Sequence, residues 1–154
     1  MRLILFRWSL AIALVSLWAT ATFVLADEVP RIDPDEAAQV AAGQSIYVAQ
    51  CASCHGATLE GQPNWRRRLP NGRLPAPPHD QTGHSWHHSD ADLFGITKHG
   101  LGPYAPSGYE SDMPAFDGEL SDEQIAAVIT YIESSWPPTI RARQKGVKQS
   151  DAPK

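Results

Sequence analysis

Residues 61–118 hold eight prolines and eight glycines, and most of this stretch shows neither the alternation of a strand nor the spacing of an amphipathic helix. Fifty-eight residues with so little regular structure do not organise themselves inside a compact domain, because the cost of ordering the chain has to be met by contacts with something else. A large bound group supplies such contacts. The first question for any fold is therefore what these loops wrap around.

The apolar content of the chain sharpens that question. Of the 154 residues 42% are hydrophobic, but 20 of them fall within residues 1–26, which contain no acid. Only 45 are left among the remaining 128, which is lean for a globular domain. Two cysteines, Cys51 and Cys54, are too close together to staple a fold, so a disulfide framework is ruled out.

Arg2 and Arg7 flank the start of the uncharged stretch at residues 8–26, and Val24 and Ala26 are small enough for a cleavage site before Asp27. Residues 1–26 are read as a secretory signal peptide or, equally, as an N-terminal membrane anchor. Nineteen residues at a rise of about 1.5 Å span roughly 28 Å, close to a bilayer's hydrocarbon thickness. Either fate exports the rest of the chain, to the periplasm of a bacterium, as a soluble protein or one tethered to the inner membrane.

The formal charge of −4 hides a stronger imbalance. Residues 27–138 carry −10, while Arg141, Arg143, Lys145, Lys148 and Lys154 make residues 139–154 basic. An acidic body argues against nucleic acid and favours partners with a basic docking surface. The tail lacks apolar periodicity and is expected to be a solvated extension.

Three helices are predicted. Asp33, Pro34 and Glu36 form a start signal for a helix over residues 34–50. Ser89 precedes a short helix that carries Leu93, Phe94 and Ile96 and stops at Gly100. Ser121 and Gln124 make a capping box, followed by Ile125, Val128, Ile129 and Ile132 on one face as far as about Ser135, with Pro137 and Pro138 as terminators.

The bound group is indicated by Cys51-Ala52-Ser53-Cys54-His55. Two thiols three positions apart, followed at once by an imidazole, have the spacing of c-type haem attachment. The thiols add to the two vinyl groups, and the short turn sets the His55 ring beneath the iron. A structural zinc site needs four ligands and no second cysteine pair exists. A thioredoxin-like pair needs a βαβ context, and helices and loops surround this one. His55 is expected to donate its second ring N–H to a backbone carbonyl, which fixes its tautomer.

A sixth iron ligand is expected from Met113, the one methionine beyond the leader, in Ser111-Asp112-Met113-Pro114-Ala115-Phe116. His and Met ligation is an established pairing that raises the reduction potential, and Pro114 stiffens the segment presenting the sulfur.

On these residues the chain resembles the monohaem cytochrome c family, the small bacterial soluble or anchored members above all. The resemblance runs over residues 35–136. It rests on Gly43 and Tyr47 before the motif, the Cys51-to-His55 motif with Gly56, the Met113-Pro114 pair and a terminal helix with Tyr131. It implies an all-α cytochrome c fold, three or more helices and long loops around one covalently attached haem, in a domain of residues 27–138. It also implies a close crossing of the first and last helices where Gly43 admits Tyr131. The carbonyl that receives the His55 proton comes from a loop proline in this family, and Pro75, Pro77 and Pro78 all qualify. The implied function is one-electron transfer, as a carrier or a cytochrome subunit of a redox chain, not independent catalysis.

Residues 65–88 depart from a minimal cytochrome. They contain Trp65, Arg66, Arg67, Arg68 and Arg73, then His79, His84, Trp86, His87 and His88. Two haem propionates need donors, and Arg73, Trp65 and Trp86 are candidates, with Tyr109 as a further haem or ligand-loop contact. The arginine run is read as a solvated face, with docking second. The four histidines are read as loop braces, with copper or zinc binding as the alternative. Two other functions stay open at this point: a small-ligand sensor in which Met113 dissociates from the iron, and metal handling through residues 79–88.

Overall fold

The computed structural model describes residues 29–150. The leader at residues 1–26, with both of its proposed fates, lies outside them. Among the described residues no helix is long and apolar enough to cross a membrane. The described chain is all-helical: α1 (Ala37–Gln50), α2 (Ala52–His55), α3 (Asp90–His99), α4 (Asp122–Ser134) and α5 (Pro138–Ser150), with 3-10 turns at Ser85–His87 and Gly102–Tyr104.

α1 starts three residues later than its signal suggests. Glu36 is the cap, its carboxylate accepting from the N–H groups of Ala38 and Gln39 at 3.1 and 2.7 Å. Asp33 and Pro34 instead make the turn before it: Asp33 Oδ1 accepts from the Asp35 N–H and the Asp33 carbonyl from that of Glu36. The other two starts form as expected. Ser89 Oγ accepts from the Asp92 N–H at 3.2 Å, and Ser121 and Gln124 exchange both bonds of the capping box.

The core is the seam between α1 and α4. Gly43 and Tyr47 of α1 are buried one turn apart, facing Ile125, Val128, Ile129 and Ile132 of α4. At Gly43 the backbones nearly touch: a Cβ there would lie 1.9 Å from the Ala127 carbonyl oxygen and 2.9 Å from Tyr131 Cβ. Only glycine permits that approach, and it lets the Tyr131 ring settle against Tyr47 at 5.3 Å between centroids. Trp136 closes the end of the seam, its Nε1 donating to the His79 carbonyl at 2.7 Å.

The C-terminal stretch corrects the expectation of a solvated extension. After α4 stops at Ser134, Pro138 opens α5, the position at which a preset φ and a missing N–H cost a helix nothing. Ile140 packs on the core cluster, and Gln144 is 2% exposed, its Nε2 donating to the His88 carbonyl at 2.7 Å. Arg141 pairs with Asp35 at 2.6 Å, and the Arg143 guanidinium lies 5.6 Å over the Trp86 ring. Residues 140, 144 and 147 do follow helical spacing, but a glutamine at the centre of the stripe hides it from an apolar count.

Candidate functional site

The Tyr47 carbonyl receives the Cys51 N–H at 2.9 Å, ending α1, and Cys51 then begins the single turn of α2, its carbonyl accepting from Cys54 and His55 at 3.1 and 2.9 Å. Residues 51, 54 and 55 are therefore at i, i+3 and i+4 of one turn and share a face. Gly56, at φ 83° and ψ 148°, takes a positive-φ conformation open to glycine that releases the chain from the turn. The face opens on a cavity of about 490 Å³. Cys51, Cys54 and His55 form one part of its wall, Leu93 and Ile96 of α3 and Val128, Ile129 and Ile132 of α4 others. Met113, Pro114 and Phe116 also line it, although Met113 is 58 positions from His55.

The long loops are what enclose this space. Their two halves are tied where Gln62 N–H donates to the Ala76 carbonyl and His79 N–H to that of Leu59, at 2.9 and 2.8 Å. That crossing delivers the Pro77 carbonyl to His55 Nδ1 at 2.8 Å, which selects Pro77 over Pro75 and Pro78. A carbonyl only accepts, so Nδ1 carries the proton and Nε2 keeps its lone pair. Burial lowers the His55 pKa, opposed by this hydrogen bond, so the neutral, ligating form is favoured. At Cys51 burial and then Cys54 push the thiol up to about 11, the reverse of the lowered value that a thioredoxin-type pair uses.

Met113 is held from both sides. Its N–H donates to Ser111 Oγ at 3.0 Å, and the Phe116 and Asp117 N–H groups bind the Thr97 and Lys98 carbonyls at the end of α3 at 3.1 and 2.9 Å. Asp112, one residue before it, pairs with Arg73, which also meets Glu110 at 3.4 Å.

The remaining expected contacts divide. Trp65 and Tyr109 line the cavity. Arg73 does not, because its guanidinium is committed to Asp112 and Glu110, and it braces the methionine loop instead. Trp86 does not either: its ring lies against His87 at 3.7 Å and beneath Arg143 of α5, and its buried Nε1 has no partner. Of the four histidines, His79, His84 and His88 reach the cavity wall. His84 stacks on Trp65 at 5.5 Å and 9°, while His79 stacks on His55. Among the described residues no group of three or more His, Cys, Asp or Glu side chains is placed to hold a metal ion. Sequence reasoning missed His79 as a neighbour of His55, since nothing in 24 positions of separation signals a stacked pair.

A haem fits these residues by donor chemistry and by shape. Two thiols and a preset imidazole stand at one side of a largely apolar cavity with a thioether in its wall, and the cavity is of the size that holds cofactors. Fold and site together define a helical domain with a cavity suited to a haem. The sequence model of the cytochrome c family matches residues 40–136, more than half of the chain. The chain is also 34% identical over 103 residues to cytochrome c6 of Leptolyngbya boryana, an alignment that covers 64% of this chain and 100% of that protein. No solved structure matches. The chain belongs to the cytochrome c family, and is a haem-dependent electron carrier rather than an enzyme.

Proposed function

We propose that this protein is an exported one-electron carrier with a single haem c, attached through Cys51 and Cys54 and ligated by His55 and Met113. The observation that carries the reading is the convergence of all four residues on one cavity of about 490 Å³. When bound, a haem would supply the one-electron chemistry, and His55 and Met113 would hold its iron from their two positions in the cavity wall. The work of the chain is to hold those positions still. Pro77 keeps the His55 proton on Nδ1, and the Ser111, Thr97 and Lys98 contacts hold the methionine loop, so little reorganisation accompanies each transfer. Thioether ligation and the apolar α3 and α4 walls both favour the ferrous state, because they disfavour the added positive charge of the ferric one. Trp65 and Tyr109 remain candidate haem contacts at the wall.

Export follows from the arginine-flanked apolar leader, and the acidic body favours redox partners that present a basic face. The relative named cytochrome c6 is consistent with a small diffusible carrier. Intact mass of the native protein under denaturing conditions tests the reading. A mass corresponding to one retained haem is expected, and the same value states whether the chain begins at Asp27. A chain that loses its haem on denaturation, or retains two, contradicts it.

A further inference from the structure

We propose that His79 is a positioning residue for the axial imidazole, fixing the plane in which His55 meets the iron; the inference rests on His55 being the iron ligand. The His79 ring lies on that of His55 with centroids 4.0 Å apart and planes 25° from parallel. A single hydrogen bond, from Nδ1 to Pro77, leaves the His55 ring free to rock about the line of that bond. A flat neighbour against its face removes the second freedom.

His79 is itself held more firmly than packing requires. Its backbone N–H donates to the Leu59 carbonyl at 2.8 Å, its own carbonyl accepts from Trp136 Nε1 at 2.7 Å, and its Nδ1 meets Ser85 Oγ at 2.9 Å. Tyr47 meets the ring edge-on, 6.4 Å away at 76°. A ring fixed at backbone and side chain is a rigid surface, and outer contacts of this kind orient the ligands they touch. The 3-10 turn that carries Ser85 is backed in turn by α5, through Gln144 and the His88 carbonyl. The C-terminal helix lies beyond residues 40–136, so this support is an addition to the family's matched region.

The test is low-temperature electron paramagnetic resonance of the oxidised, haem-loaded protein, whose g-values report the orientation of the axial imidazole. His79→Ala is expected to shift and broaden the low-spin signal. His79→Phe, which restores a flat stacking ring, is expected to return it toward wild type. Ser85→Ala, which leaves both rings in place but frees His79 Nδ1, is expected to give a smaller change in the same direction and serves if His79→Ala does not load haem. Wild-type g-values and line widths in both His79→Ala and Ser85→Ala overturn the inference, as does an unchanged signal in Ser85→Ala where His79→Ala is not obtained. A His55→Ala protein that retains the wild-type signal overturns the ligand assignment itself, a result distinct from the first.

Discussion

Arg73 reaches across 39 positions of chain to pair with Asp112, the residue immediately before Met113. Arg73, expected from the sequence to serve a propionate, is tied here to the loop that carries Met113. Because the pair stands at the surface, salt weakens it.

Arg73→Ala and Asp112→Asn should each loosen the methionine loop. Added imidazole, which competes for the iron only when the sulfur leaves, should bind roughly twofold more tightly in either variant at low salt. The double variant should add little to either single one. Spectroscopic imidazole titrations at low and high salt check this; equal affinities in all four proteins would show that the pair does not restrain the loop.

Gly43→Ala should destabilise the domain by about 3 kcal/mol, the upper part of the usual range for overpacking, because the obstacle is backbone rather than a movable side chain. The added Cβ meets the Ala127 carbonyl oxygen at 1.9 Å, so α1 and α4 have to part. Denaturant unfolding of the loaded protein measures the loss. A midpoint equal to wild type would mean that the helices do not cross so closely.

Replacing both Cys51 and Cys54 by Ala should give a chain that folds poorly. The cavity wall includes Phe116, Val128, Ile129 and Ile132, and water in contact with these side chains removes much of the apolar burial on which α3 and α4 depend. Near-ultraviolet circular dichroism with thermal unfolding should show weak tertiary signal and no cooperative transition. A sharp, native-like transition would contradict the view that the haem completes the core.

Gln144→Ala should leave the electron-transfer site assembled while loosening its outer support. Removing a buried donor from the His88 carbonyl costs on the order of 1–3 kcal/mol. Hydrogen exchange should accelerate through α5 and Ser85–His88 and stay at wild-type rates in α1 and α4. Uniform protection across all four segments would show that α5 is not a working part of the fold.

What could be read in the sequence follows the range of the interactions. The α3 and α4 starts depend on a cap and the next three residues, and Ser89 and Ser121 act as their local signals state. The Cys51-to-His55 face depends on one turn and was equally legible. Pro77 was one of three candidates, because its selection depends on where two loop halves cross, at Gln62 with Ala76 and His79 with Leu59. The partners of Arg73 and Trp86 were hidden for the same reason: Asp112 and Arg143 lie 39 and 57 positions away. α5 was missed because its buried centre is Gln144, a polar residue whose burial is licensed by a hydrogen bond that no hydropathy pattern contains.

The proposed haem between His55 and Met113 would explain both the lean apolar content and the long loops. The near-infrared spectrum of the oxidised protein tests it most directly, since sulfur bound to iron(III) gives a weak charge-transfer band there. The band should be present in the wild type and absent in Met113→Ala, and the reduced wild type should form no carbon monoxide adduct. A wild-type protein without the band, or one that takes up carbon monoxide readily, would contradict the account and point to an iron that is open to small ligands.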